Sequence, residues 1–181
     1  MSANPPPDLT RILASTRTLY AAAACSCALV DDDGTGLTFV AADGAGAEAV
    51  RGVTLPVDRG VAGWVALSGQ PTGIADVARD ARFARDVAEA TSYVPTSLLA
   101  VPMVDPDGEV VGVVEVLDPT AEHLGLAVLA VVASQLEAVV RHTASTDDEG
   151  VDPALAAVVR RVRPDQAPLA RALLEALVER S

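Results

Sequence analysis

Lysine is absent from this chain; all thirteen basic residues are arginine. Against a background so rich in Ala, Val and Gly, this reads as genome composition rather than function. It also leaves no Gly-x-x-x-x-Gly-Lys phosphate loop, and no Ser-His-Asp pattern stands out. Aromatics are scarce, at 3% of 181 residues, while half the chain is hydrophobic. Ala, Val and Leu must therefore build the core, and each buried methylene contributes only about 0.8 kcal/mol. Help from oligomerisation is expected. Positive charge is outweighed, giving a formal net charge of −12. That sign disfavours nucleic acid and anionic membrane surfaces. The cluster Arg160, Arg161 and Arg163 reads as a solvated helix end, so neither nucleic acid nor membrane is an expected partner. The longest unbroken apolar run, Leu124 to Ala133, is too short to span a bilayer. The start, MSANPPPD, lacks the basic and apolar regions of a secretory leader. A cytoplasmic protein is expected.

There are two cysteines, Cys25 and Cys27, and two histidines, His123 and His142. On a strand the cysteines share a face, with alpha carbons about 6.6 Å apart, the long edge of disulfide geometry. They read as free buried thiols. Two cysteines in one strand with no nearby histidine make no four-ligand site, so no metal and no cofactor is expected.

What is present has a clear order. Residues 1–7 form a Pro-rich start expected to be disordered. Asp8 caps a helix over 8–24 with the apolar stripe Leu9, Ile12, Leu13, Leu19, Tyr20 and Ala23. CSCALV and LTFVAAD are strands joined by the hairpin signal DDDGTG. GAGAEAV is a flexible connection, and Gly52 to Leu55 is a third strand. Asp58 is the expected cap of a helix ending at Ser68, with Gly60 and Gly63 in its first turns. Thr72 to Asp76 is a short strand, and Arg82 to Ala90 a short helix. Ser97 to Val104 and Glu109 to Leu117 are strands joined by DPDG. An apolar helix is expected over 121–142, an acidic linker over 144–151, and a helical hairpin over 152–181 that needs something to dock on. Hairpin-linked strands and flanking helices predict an α+β fold with a central antiparallel sheet.

LPVDRGVAGWVALSGQP, DVARDARF, SLLAVPM and DGEVVGVVEVLD follow one another between Leu55 and Asp118. Together with the element order they resemble a GAF domain over residues 8–143. The resemblance implies terminal helices on one face of the sheet and a small-molecule pocket on the other, beside 57–65 and 76–94. It points to Gly60, Val61, Gly63, Trp64, Asp76, Asp80 and Arg82 as ligand-binding residues. The glycines free the backbone to approach a ligand, helix amides suit an anionic or carbonyl group, and Trp64 offers a stacking face. The bland alternatives are core filling for Trp64, turn capping for Asp76 and Asp80, and a salt bridge for Arg82. A homodimer through helices 8–24 and 121–142 is expected, as is a regulatory protein partner on 152–181.

Departures from the family's better-defined chemistries narrow the function. Asp118-Pro119 stands where cyclic-nucleotide binders carry Asn-Lys, and the later Phe and acidic pair are missing. Bilin attachment needs a pocket cysteine, haem an axial histidine; neither is placed for it. Ala62 stands where the free methionine sulfoxide reductases have a cysteine. The expected function is a non-catalytic signalling domain that binds an unknown small molecule. A ligand-free dimerisation scaffold for a kinase or transcription regulator is the alternative. An RNA-binding antitermination role and the reductase activity rank below both.

Overall fold

A computed structural model describes residues 7–90, 93–121 and 124–146. The first helix, α1 (Pro7–Leu19), is shorter than the apolar stripe predicts. The chain turns out of it at Ala21, with φ 45°, to begin β1 (Ala24–Val30). The turn is fixed by Tyr20, a fully buried side chain whose hydroxyl donates to the Gly125 carbonyl at 2.9 Å. Its own carbonyl accepts from the Thr120 and Ala121 amides, both at 3.1 Å.

β1 is followed by β2 (Gly36–Gly44), the helical turn α2 (Ala47–Val50) and β3 (Thr54–Pro56). The GAGAEAV connection is thus part helix rather than wholly flexible. Next come α3 (Gly60–Ser68), β4 (Thr72–Ile74), a 3-10 turn at Val77–Arg79 and α4 (Arg85–Ala90). β5 (Leu98–Val104), β6 (Val110–Leu117) and α5 (Leu126–Thr146) complete the fold. α5 starts later than residue 121 and continues through Thr146, into the expected linker. The segment 1–7 expected to be disordered lies outside the described residues except Pro7, which begins α1, and the expected helical hairpin over 152–181 lies wholly outside them. The described residues up to Val140 form one compact unit.

All strand pairings are antiparallel, in the order β3-β2-β1-β6-β5-β4. Both hairpins are set by aspartates at their turns. Asp31 donates its amide to the Gly36 carbonyl at 2.9 Å, and Asp105 Oδ1 accepts from the Asp107 and Glu109 amides, each at 2.9 Å. Pro102 fits inside β5 because β4 covers only Leu98–Ala100; beyond it the strand is an edge with no ladder partner to supply.

Period-two alternation divides the core in two. On one face Cys25, Cys27, Val101, Met103, Val114 and Val116 pack under Leu9 and Leu13 of α1 and Leu129, Ala133 and Leu136 of α5. On the other, Ala28, Phe39, Leu98, Ala100 and Val113 meet Val61, Ala62 and Val65 of α3. Both cysteines are free and buried. The window Leu126–Thr143, with mean hydropathy 1.3, is long and apolar enough by length and composition to cross a membrane. Here its stripe of Leu129, Ala133 and Leu136 packs against the sheet.

Candidate functional site

The face opposite α1 and α5 holds a cavity of about 100 Å³. Its floor is the sheet, through Ser26, Phe39, Leu98, Glu115 and Leu117. The first turn of α3 supplies Gly60, Val61 and Ala62, and α2 with its approaches supplies Ala45, Gly46 and Val50. The third wall is irregular chain and α4: Phe83, Ala84, Val87, Ala88, Tyr93 and Pro95.

Two glycines build the α3 entrance. Gly60 has φ 76°, in the left-handed region that side chains disfavour. A side chain at Gly63 would collide with the Val57 carbonyl, so this glycine lets the preceding loop fold back on the helix. The helix cap is Arg59 and not Asp58, and no side chain caps the first turn.

Of the seven residues singled out from sequence, Gly60 and Val61 line the cavity. Gly63, Trp64, Asp76, Asp80 and Arg82 lie outside its lining. Gly63 serves helix–loop packing. Arg82 grips Asp80 with two parallel hydrogen bonds, Nε to Oδ1 at 2.9 Å and an outer nitrogen to Oδ2 at 2.7 Å. The same guanidinium stacks 4.4 Å from the centre of the Trp64 ring. These hydrogen bonds hold the Asp80 carboxyl below its ordinary range. Asp76 accepts from the Ala78 amide at 3.1 Å and caps the 3-10 turn. The capping and ion-pair alternatives therefore describe the positions of these three charged residues.

Four polar side chains do reach the lining: Ser26, Arg59, Tyr93 and Glu115. Arg59 pairs with Asp86 of α4 at 2.5 Å. Tyr93 donates its hydroxyl to Asp118 Oδ2 at 2.5 Å. Asp118 Oδ1 also accepts from the Thr96 and Ser97 amides, both at 2.8 Å. Burial pushes the Asp118 carboxyl up, but these donors outweigh it and hold it below its ordinary value. Burial and the Asp118 carboxylate push the Tyr93 phenol up to about 12. Glu115 stands mid-strand in β6, paired with Ser26 on one side and Ala100 on the other. Burial pushes its carboxyl up to about 7, opposed by a hydrogen bond from the Ser26 hydroxyl. Sequence reasoning missed Glu115, although its signal was present as the single charge inside VVGVVEVL.

Cys27 lies in the opposite core. Cys25 packs in that core too but also borders the cavity, so, contrary to the sequence expectation, one cysteine does reach the pocket lining. Burial pushes the Cys25 thiol far above its ordinary value and Cys27 up to about 12. Thiols so held are poor nucleophiles.

A family model described as GAF domain matches residues 8–140. The chain belongs to the GAF domain family. Members of this sensory and regulatory family are generally non-catalytic, though the likenesses of this GAF domain include an enzyme. It is 33% identical over 69 residues to a dual 3',5'-cyclic-AMP and -GMP phosphodiesterase 11A of Takifugu rubripes. That match covers 38% of this chain and 8% of the phosphodiesterase, so it concerns a small part of the larger protein. The GAF domain of an Acinetobacter phosphoenolpyruvate-protein phosphotransferase is similar in structure, with TM-score 0.63 and 22% identity. The alignment covers 77% of this chain and 84% of that one. Free methionine-R-sulfoxide reductase from Neisseria meningitidis is also similar, with TM-score 0.58 and 21% identity over 72% of this chain and 74% of the reductase.

Proposed function

We propose that this GAF domain is a non-catalytic sensor that binds a small molecule on one face of its sheet and dimerises through the other. The observation that carries the proposal is the cavity itself, about 100 Å³ in volume and walled mostly by apolar side chains. Enclosed apolar clefts with a few converging polar groups are the usual form of a ligand site. α3 and the walls at 83–88 and 93–95 flank this one, so occupancy would brace them against β1, β5 and β6. Those strands carry α1 and α5 on their far side, giving a direct mechanical path to a dimer partner.

A non-catalytic role is supported by the thiols. The reductase reaction needs a thiolate and a resolving thiol. Ala62 occupies the matching position in the wall, Cys27 belongs to the far core, and Cys25, which borders the cavity, has its thiol pushed far above its ordinary value by burial. The ligand-free scaffold expects this space to be filled by the protein's own side chains; an unfilled cavity favours the sensor.

The test is a thermal-shift screen of metabolites and nucleotides against the full chain and against Ala62→Leu, which places a larger side chain in the wall. A compound that raises Tm in the wild type and fails to do so in the variant is expected. Absence of any shift in the wild type would remove the ligand part and leave the scaffold.

A further inference from the structure

Glu115 is the group in the cavity without a balancing charge. Strand alternation places it on the cavity face with Val113 and Leu117, while Val114 and Val116 face the other core. Its neighbours in the ladder, Ser26 and Ala100, carry no charge. The Ser26 hydroxyl donates to it. The lining cation, Arg59, pairs with Asp86, and the Tyr93 hydroxyl is directed to Asp118. Among the described residues no cation pairs with Glu115. A carboxylate held in an apolar wall is costly unless a positive group or further donors reach it. Taking up a proton relieves that cost in the empty protein; a cationic ligand entering the cavity would relieve it with the carboxylate kept.

We infer that the cavity selects a small organic cation, an aliphatic ammonium whose nitrogen meets the Glu115 carboxylate and whose hydrocarbon body fills the apolar wall. The inference rests on the sensor reading above and assigns its ligand class. Size follows from volume. A cavity near 150 Å³ accommodates benzene, with its six heavy atoms, so about 100 Å³ favours a ligand of about four or five. The chemistry is a charge-assisted hydrogen bond from N–H to carboxylate, shorter and stronger than a neutral one. The net charge of −12 also raises the local concentration of cations over anions.

The experiment compares three probes of nearly one shape on the full chain: n-butylammonium, n-butanol and n-butyrate. Binding is read by NMR titration of the Ser26 and Glu115 amides. n-Butylammonium should bind about tenfold or more tighter than n-butanol, with n-butyrate weakest. Glu115→Gln should lose the preference while still taking n-butanol. A second readout needs no variant. Wild-type affinity for n-butylammonium should fall as pH drops below about 7, where Glu115 takes up its proton. The groups around it do not titrate there: Cys25 and Tyr93 are pushed up, and Asp86 and Asp118 are held down. Equal or better binding of n-butanol or n-butyrate would overturn the cationic class while leaving a ligand-binding cavity in place. No amide shift with any probe would overturn the inference too. The metabolite screen decides the sensor reading separately.

Discussion

Glu115 makes the fold itself pH-dependent. Its carboxyl has an ordinary value of 4.5 and is pushed up to about 7 by burial. Between those values the unfolded chain has released the proton and the native state retains it. Stability contributed by this group therefore falls as pH rises through the window, and the loss is complete above it. Glu115→Gln cannot titrate. Urea denaturation across the range should show the variant gaining on wild type as pH rises from 4.5 to 7; parallel profiles would refute this. Gly63 offers a second test at this scale. A methyl group there meets the Val57 carbonyl, which is backbone and has little room to give. Gly63→Ala should cost about 1–3 kcal/mol, the usual penalty of overpacking. A ligand role alone would leave the stability of the empty protein unchanged, so denaturation separates the two.

The element that shapes the cavity mouth is the segment 93–97, and one carboxylate ties it down. Asp118, with φ 50° at the end of β6, gathers Tyr93, Thr96 and Ser97. Removing a shared acceptor leaves several donors to find water, at about 1–3 kcal/mol for each that stays buried. Asp118→Ala should therefore destabilise more than Tyr93→Phe. It should also speed hydrogen exchange at the Thr96 and Ser97 amides, while the β1 amides keep their protection. This knot shows why the elements were readable in sequence and the site less so. The strands CSCALV, LTFVAAD, SLLAVPM and EVVGVVEVL declare themselves by alternation and by Asp-Gly turns, both local properties. The apolar stripe overextends α1 because Ala21 to Ala23 continue it, whereas the turn at Ala21 and the long-range bonds of Tyr20 end the helix. The cavity depends on which strands become neighbours. β1 and β6 are far apart in the chain, so the pairing of Ser26 with Glu115 has no local signature. Motif likeness drew attention to Trp64 and Arg82, which the tertiary fold stacks on each other outside the cavity lining.

At the scale of the whole molecule, the α1/α5 face is the feature that a single copy leaves unexplained. Only 22% of the window Leu126–Thr143 is buried. Leu19 is 52% exposed and Val131 63%. Beside them a groove lined by Arg11, Ile12, Ser15, Thr16, Leu19 and Val132 separates the two helices. Scattered surface leucines and valines need no explanation, but Leu19 shares its groove with Val132, the neighbour of Val131 on α5. A second copy turned about a two-fold axis would offer the same face, forming a four-helix layer across the interface. The aromatic-poor composition points the same way, because a core of Ala, Val and Leu gains most from added apolar burial. A stable interface of this kind buries about 800 Å² per partner. Light scattering at micromolar concentration should give twice the 18.5 kDa chain mass. Leu19→Asp combined with Val131→Asp should return a monomer with unchanged circular dichroism, since neither side chain belongs to the buried core. A wild-type mass of one chain would mean that this face meets something other than a second copy. The sensor would then have to signal through a different partner on the same two helices.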